Sequence, residues 1–150
     1  MSRIKKSRPN IRAFRMSDYD GLISLWDAAG LHYNPEGRDS RAELRKQIAF
    51  RNTLYLVAEI DDRIMGSLLG THDGRKGWLN RLAVAPAHRR EGLATRLVKE
   101  AEKRFARQGI DMTACLVEDW NRDSMRFFES MGYERFPGIE YFRKRKDPRV

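Results

Sequence analysis

The stretch from residue 84 to 95 constrains the fold of this chain most strongly, because it joins a strand pattern to a helix pattern. Before it, residues 79–84 form a short apolar-rich run that Pro86 ends, since proline has no backbone N–H to continue a sheet ladder. After it, apolar residues recur with helical spacing from Ala94 to Phe105, and Gly109 is suited to end the helix. The sequence therefore predicts a strand, a turn and a helix in succession.

The turn itself has features that suit an anionic ligand. Gly92 has no Cβ and Ala94 has a small side chain, which leaves room for a ligand close to the backbone. The first turn of a helix exposes unpaired N–H groups and the positive end of the helix dipole, and both stabilise a phosphate group. Arg89 and Arg90 would strengthen such a site. Two common phosphate-binding patterns, G-x-x-x-x-G-K-[ST] and G-x-G-x-x-G after a strand, do not occur.

Two separated motifs resemble those of the GNAT family of N-acetyltransferases. The first, R-x-x-G-x-A at residues 89–94, is similar to the family's pyrophosphate loop, [Q/R]-x-x-G-x-[G/A], which follows a strand ending like L-A-V. The second, at residues 121–133, is similar to the family's segment N-x-x-[A/S]-x-x-[F/L]-Y-x-x-x-G-[F/Y]. They occur in the family's order, with a strand pattern at 112–117 between them, and the resemblance covers residues 11–145.

The resemblance implies the GNAT fold, an α/β (mixed α+β) architecture. Its mostly antiparallel sheet would have about seven strands, with a central parallel βαβ pair and flanking helices. The residues themselves predict a hairpin over 54–71 and a right-handed strand–helix–strand crossover over 78–117. They also predict a closing hairpin at 133–136 and 139–145, split by Pro137-Gly138. We expect one domain at residues 11–145, a basic tail at 1–10 and a short tail at 146–150.

By resemblance, acetyl-CoA is the co-substrate, and its pantetheine arm lies between the two parallel strands. It would bond the exposed strand edge as an added strand does. The predicted cofactor-binding residues are Leu82, Ala83, Val84, Arg89, Arg90, Glu91, Gly92, Leu93, Ala94, Thr95, Asn121, Ser124, Phe127 and Phe128.

Candidate catalytic residues follow from what acetyl transfer requires. The amine must be neutral to attack, and donors such as strand N–H groups must stabilise the oxyanion. Asn80, predicted on the same strand face as Leu82 and Val84, is a candidate to hold a bridging water. Glu118 is a candidate carboxylate near the cleft mouth, with Glu59 as a third candidate. Each of them also has a structural reading, as a backbone partner or a solvated side chain.

The position of Phe128 departs from the family pattern, which more often has a tyrosine that protonates the CoA thiolate. Phenylalanine cannot donate, so Tyr133, Tyr141 or a water would have to substitute, or the thiolate would leave as an anion. Cys115 lies in an apolar strand pattern and is predicted to be a core residue rather than a nucleophile. His32, His72 and His88 lack ligand spacing, so we predict no metal.

The loop at residues 31–39 borders the acceptor site if the resemblance holds. His32 and Tyr33 are therefore candidate substrate-binding residues. The sequence does not identify the amine acceptor, because different substrates are recognised by loops on the same fold. Dimers are common in the family, which makes a homodimer an expectation.

Composition favours a reduced, cytoplasmic protein and leaves nucleic acid open as a partner. The 150 residues contain a single cysteine and carry a net charge of +9. They have no apolar run of membrane length and no apolar signal region. Much of the basic excess lies at the two ends, in Arg3, Lys5, Lys6, Arg8, Arg143, Lys144, Arg145 and Lys146. This charge suits nucleic acid, but no helix-turn-helix, zinc-finger or RNP motif accompanies it.

The sequence thus predicts an acetyl-CoA-dependent N-acyltransferase of the EC 2.3.1 class, acting by direct transfer in a ternary complex. A non-catalytic CoA-binding module of the same fold is the second hypothesis, because Phe128 replaces the usual acid and no base is evident. A small basic nucleic-acid-binding protein is the third.

Overall fold

A five-stranded sheet forms the centre of the computed structural model, which describes residues 7–150. The strands are β1 (Asn10–Ala13), β2 (Thr53–Ile60), β3 (Arg63–His72), β4 (Gly77–Val84) and β5 (Thr113–Cys115). They lie in sequence order across the sheet, and all neighbours are antiparallel except β4 and β5, which are parallel. The predicted mixed sheet with one parallel pair is confirmed, with fewer strands than the sequence predicts.

Helices cover both faces of this sheet. They are α1 (Tyr19–Ala29), α2 (Arg41–Gln47), α3 (Leu93–Arg107) and α4 (Arg122–Ser130). Successive strand residues point to opposite faces, so Leu56 packs into the core under α3 and α4, while its neighbour Val57 packs into the core under α1 and α2. The chain therefore has three layers, with the sheet between two sets of helices.

The apolar stripe of α3 holds the helix against the sheet. Four of its residues, Leu97, Val98, Ala101 and Phe105, are fully buried. Burying a large apolar side chain contributes about 1.5–3 kcal/mol, so replacing Phe105 by alanine would cost about 3–5 kcal/mol. After the helix, Gly109 has a φ of +79°, which confirms its predicted role in ending the helix. This packing fixes the position of the first turn of α3 relative to β4.

The predicted closing hairpin is wrong. The turn at Pro137-Gly138 is present, but residues 134–146 contain no strand, and every one of them is exposed. A two-stranded hairpin is marginal without packing, and this stretch buries none of its apolar side chains within the described chain to offset the entropy of ordering it. The strand predicted at 112–117 is likewise reduced to Thr113–Cys115.

The ends of the chain are only partly described. Arg3, Lys5 and Lys6 of the predicted basic tail lie outside the described residues, and β1 begins at Asn10. Of the helices within residues 7–150, none has the length and apolar character that crossing a bilayer requires.

Candidate functional site

The turn before α3 leaves a set of backbone donors without protein partners. Gly92 precedes the helix with a φ of +77°, and Arg90 also has a positive φ, of +62°. A left-handed conformation is costly for side chains with a Cβ, which explains glycine at position 92. Within the described residues, the N–H groups of Gly92, Leu93, Ala94 and Thr95 donate to no protein acceptor. These donors all lie at the positive end of the helix dipole.

A cavity of about 220 Å³ opens over these donors. It is lined by Val84, His88, Arg89, Arg90, Gly92, Leu93, Ala94, Thr95 and Phe127. The structure thus brings together most of the cofactor-binding residues that the sequence predicts on both sides of the turn. Glu91 does not line the cavity, and its carboxylate lies 3.2 Å from the His88 ring. His88 also lines the cavity, although the sequence analysis does not select it as a cofactor-binding residue.

The cavity is electropositive. Arg89 and Arg90 are both exposed beside it, and one guanidinium nitrogen of Arg89 lies 3.5 Å from the carbonyl oxygen of Ala29. A larger depression of about 360 Å³ between β1 and α3 also has charged walls, formed by Arg96, Lys99, Glu100 and Lys103. That depression faces paired helical backbone in the middle of α3. Only the smaller cavity combines positive charge with unpaired N–H groups.

The parallel strands separate beside this cavity, as predicted. β5 pairs with Gly77–Leu79 only, and β4 continues to Val84 with no partner on that side among the described residues. The N–H of Ala85 bonds to Met65 of β3, so strand alternation directs the N–H groups of Val84 and Leu82 toward the open side. A gap lined by free strand backbone therefore leads from the cavity into the molecule.

The second predicted motif forms the start of α4. Asn121 caps this helix, because its side-chain oxygen accepts the N–H of Ser124 at 3.2 Å. Phe127 lines the cavity, but Phe128 points into the core beside it, with its ring 5.1 Å from that of Phe127 and 5.2 Å from that of Tyr133. The motif thus contributes a helix cap, a cavity wall and a core residue.

The tyrosines considered as replacement donors are placed differently. The Tyr133 hydroxyl is half-buried, within 2.8 Å of Thr113 Oγ1 and 3.1 Å of Glu102 Oε2, and burial raises its pKa above the usual range. Tyr141 is exposed. Burial also raises the pKa of the Cys115 thiol to about 11, and its side chain packs against the core, as predicted.

A β-bulge in β4 was not predicted and alters one of the predictions. Ser67 pairs with Ala83 but Leu69 pairs with Asn80, so two residues of β4 stand opposite one of β3. Leu79, before the bulge, and Leu82, after it, pack against the same core, so Asn80 lies on the opposite face. The prediction that Asn80 shares a face with Leu82 and Val84 is therefore wrong, because the extra residue breaks the alternation.

Arg81 forms this bulge with a φ of +53° and is held by buried groups. Its carbonyl accepts the hydroxyl of Ser67 at 2.9 Å, and that hydroxyl accepts the indole N–H of Trp26 at 3.0 Å. Its guanidinium donates to Asp39 Oδ2 at 2.7 Å and to the His32 carbonyl, and it lies 5.3 Å from the centre of the Trp26 ring. Burial lowers the pKa of Arg81, which the Asp39 charge opposes.

The loop at residues 31–39 is thereby tied to β4. Asp39 Oδ2 also accepts the N–H of Asn34 at 2.8 Å. Tyr33 donates its hydroxyl to Asp27 at 2.9 Å and stacks at an angle on Trp26, while the His32 side chain is exposed. The two predicted acceptor contacts thus sit on a loop that the Arg81 network orients.

The candidate catalytic residues differ in whether their side chains are already engaged in ion pairs. Glu59 accepts from Arg12 at 2.6 and 2.9 Å, and Arg12 also pairs with Asp18, so Glu59 belongs to an ion-pair cluster at β1. Glu118 and Asn80 are both exposed. Among residues 7–150, no three His, Cys, Asp or Glu side chains converge as metal ligands would.

Comparison with known proteins gives a consistent result. The family model described as acetyltransferase (GNAT) matches residues 22–133. The chain is 31% identical over 124 residues to the acetyltransferase plu1384 of Photorhabdus laumondii, covering 83% of this chain and 85% of that protein.

Two solved structures show the same fold. The aminoglycoside N-acetyltransferase AAC(6')-Iy in complex with CoA has a TM-score of 0.78 and 17% identity, covering 96% of this chain and 99% of that one. The PaiA N-acetyltransferase from Thermoplasma acidophilum in complex with coenzyme A has a TM-score of 0.73 and 23% identity, covering 85% and 90%.

Proposed function

Because this chain belongs to the GNAT acetyltransferase family, we propose that it moves an acetyl group from acetyl-CoA to a primary amine by direct attack in a ternary complex. One observation carries the proposal: the unpaired N–H groups at the start of α3 open onto the gap beside β4. This arrangement suits a ligand with phosphates at one end and an extended arm at the other.

In this proposal the residues of the turn hold the pyrophosphate. The N–H groups of Gly92 to Thr95 donate to its oxygens, and Arg89 and Arg90 supply charge. The pantetheine amides bond the free backbone of Leu82 and Val84, on the open side of β4. The thioester then lies deeper in the gap, toward the bulge at Arg81 and the loop at residues 31–39.

The reaction needs little from side chains. The amine nitrogen bonds to the acetyl carbon, the C–S bond breaks, and the amine loses a proton to solvent through a water, for which Glu118 is the remaining candidate partner. A strand N–H in the gap stabilises the oxyanion, a contribution worth about 3–4 kcal/mol in other enzymes. A thiol of pKa about 8.5 leaves as the anion, so Phe128 does not prevent turnover.

Calorimetric titration with acetyl-CoA at physiological ionic strength tests the cofactor site. We expect saturable one-to-one binding, and Gly92→Glu should weaken it at least about 10-fold, since it strains the turn and adds a negative charge beside the pyrophosphate. Gly109→Glu is the matched control, because Gly109 has the same left-handed φ and open surroundings at the other end of α3. Equal affinity in the two variants would contradict the proposed site.

The second hypothesis is a non-catalytic CoA-binding module, which is favoured by phenylalanine in place of tyrosine at position 128. Measuring the release of free thiol as a function of acceptor concentration distinguishes this module from an enzyme. Aminoglycosides are a suitable first class of acceptor, because AAC(6')-Iy is an aminoglycoside N-acetyltransferase of the same fold. Thiol release that rises with amine concentration supports catalysis. Tight CoA binding with no release across a panel of polyamines, amino acids, aminoglycosides and peptides supports the binding module.

A further inference from the structure

The outer edge of β1 is open. Among the described residues β1 pairs with β2 alone, so its other side has no strand partner. The N–H of Phe14 bonds to the Tyr55 carbonyl at 2.8 Å, and strand alternation therefore directs the N–H and C=O groups of Ile11 and Ala13 away from β2. The Ala13 carbonyl already accepts the Arg12 guanidinium at 3.1 Å, which leaves the backbone of Ile11 at the centre of the open edge. An edge of this kind is a template for an added strand.

The side of α3 that faces β1 is basic. The depression of about 360 Å³ between β1 and α3 is lined by Pro9, Asn10, Ile11, Arg96, Lys99, Glu100 and Lys103. Its three basic side chains are exposed, and their spacing places them on one face of the helix. The one acidic side chain, Glu100, accepts from Arg104 at 2.9 Å, and within residues 7–150 neither lysine forms an ion pair. The depression therefore has a surplus of positive charge.

A strand added to β1 would direct half of its side chains to this basic side. Backbone donors and acceptors of a strand lie in the plane of the sheet, whereas the depression lies above that plane, against α3. Ile11 packs against the core under α3 and α4, so its side chain points to the α3 face. Residues opposite each other on paired strands share a face. The residue opposite Ile11, and every second residue from it, would therefore point toward Lys99 and Lys103.

We propose that the outer edge of β1 and the basic residues Arg96, Lys99 and Lys103, together the β1–α3 surface, bind an extended acidic peptide of a partner protein. The peptide adds as a strand to β1 through the backbone of Ile11, and it directs carboxylates at alternate positions to the three basic side chains. In this mode the main-chain bonds supply affinity and the side chains supply specificity. Complementary charge also speeds association and disfavours basic partners.

The open backbone favours a peptide as the occupant. Every residue of a peptide except proline carries one N–H and one C=O, so an extended peptide bonds both groups of Ile11. A nucleic-acid strand offers phosphate charge at regular intervals, but it has no N–H donors in the spacing of a strand edge. A second copy of this chain is disfavoured because its net charge is +9 and the surface is basic.

Fluorescence anisotropy with labelled synthetic peptides, at physiological ionic strength, tests the proposal. The probe is a peptide of alternating glutamate and valine, and its control has the same composition with all glutamates in one block. We expect saturable binding of the alternating peptide, at least about 10-fold tighter than that of the block peptide, because only alternation places every carboxylate on one face of a strand. Equal affinity for the two peptides, or no binding of either, would overturn the proposal.

Reversing the charge of the depression tests the basic side chains. Lys99→Glu/Lys103→Glu should weaken binding of the alternating peptide at least about 10-fold. Lys144→Glu/Lys146→Glu is the matched control, because it changes the net charge equally at two exposed lysines outside the β1–α3 surface. It should weaken binding less than about 3-fold, since distant charges are screened. Equal losses in the two double variants would contradict the proposed surface.

Ile11→Pro tests the strand edge. Proline removes the N–H that faces away from β2 and keeps the bonds between β1 and β2, so the alternating peptide should bind at least about 10-fold more weakly. Circular dichroism checks that this variant is folded, and the lysine variants, at exposed side chains, keep the test independent of it. Peptide binding that survives both the proline and the charge reversal would overturn the proposal. So would tighter binding of an oligothymidylate of the same charge as the peptide.

Discussion

The turn before α3 and the bulge in β4 are both built on left-handed backbone with arginines nearby, yet they use positive charge differently. At the turn, Arg89 and Arg90 are exposed and the helix N–H groups face a cavity. At the bulge, the Arg81 side chain is only 16% exposed and pairs with Asp39, which is 7% exposed. One region exposes its charge beside a cavity, where we propose that the cofactor binds, and the other uses its charge within the protein.

This difference shows what each region contributes. A left-handed residue other than glycine costs about 1–3 kcal/mol, and the Ser67, Asp39 and Trp26 contacts offset that cost at Arg81. These contacts hold the bulge in one conformation, and through Asp39 and His32 they also hold the loop at residues 31–39. At the turn, the N–H groups of Gly92 to Thr95 have no protein acceptor among residues 7–150, so solvent or a bound anion satisfies them.

Breaking the bulge network should have the largest effect. Among residues 7–150, Arg81→Met leaves the buried Asp39 carboxylate with the Asn34 N–H as its only donor, and we expect a loss of about 2–4 kcal/mol of unfolding free energy. For a chain of this size this lowers Tm on the order of 10 °C, measurable by calorimetry. Affinity for acetyl-CoA should fall less than it does in Gly92→Glu, because the proposed pyrophosphate site at the turn is separate from the bulge.

Arg41 provides the matched control for that experiment. It also forms an ion pair, with Asp20 at 2.8 Å, and lies 4.5 Å from the centre of the Tyr19 ring, but the pair is exposed. Arg41→Met should cost less than about 1 kcal/mol. Equal losses of unfolding free energy in Arg81→Met and Arg41→Met would show that burial of the Arg81–Asp39 pair does not contribute to stability.

The same contrast explains what the sequence could predict. The turn was predictable because its elements are local: a proline ends the strand, a glycine allows a left-handed turn, and helical spacing follows. The Arg81 network joins residues from α1, β3, β4 and the loop before α2, which no local pattern connects. Its bulge also reversed the expected face of Asn80.

Residues 134–146 show a second limit of prediction from the sequence pattern. Its residues alternate and contain a turn dipeptide, so the local pattern favours a hairpin. A strand also requires pairing and a packing surface, and residues 134–146 neither pair with a strand nor bury a side chain among the described residues. Strand propensity depends on its packing context, which the sequence pattern leaves open.

The reactivity of the Cys115 thiol shows how far solvent penetrates the gap between β4 and β5. It lies opposite Leu79 at the last paired position of β4 and β5, and burial raises its pKa to about 11. A raised pKa keeps the thiol protonated, so alkylation by iodoacetamide at pH 8.5 should be on the order of 100-fold slower than in the unfolded chain. The alkylation rate should rise with pH toward a midpoint near the Cys115 pKa of about 11, well above the midpoint of about 8.5 expected for a free cysteine. Equal rates with and without urea would show that solvent in the gap reaches Cys115.

Removing charge from the turn should have the smallest effect. Arg89→Ala and Arg90→Ala each delete an exposed, partly screened charge, so acetyl-CoA affinity should fall about 3- to 10-fold per substitution. Tm should not change, because neither side chain is buried. Arg107→Ala, at the far end of α3, removes the same charge and should leave affinity unchanged. Raising the salt concentration should reduce the difference in acetyl-CoA affinity between the wild type and the two variants, because salt screens the Coulomb attraction of the arginines for the phosphates. A loss that persists undiminished at high salt would indicate that these arginines shape the turn, as Arg81 shapes the bulge.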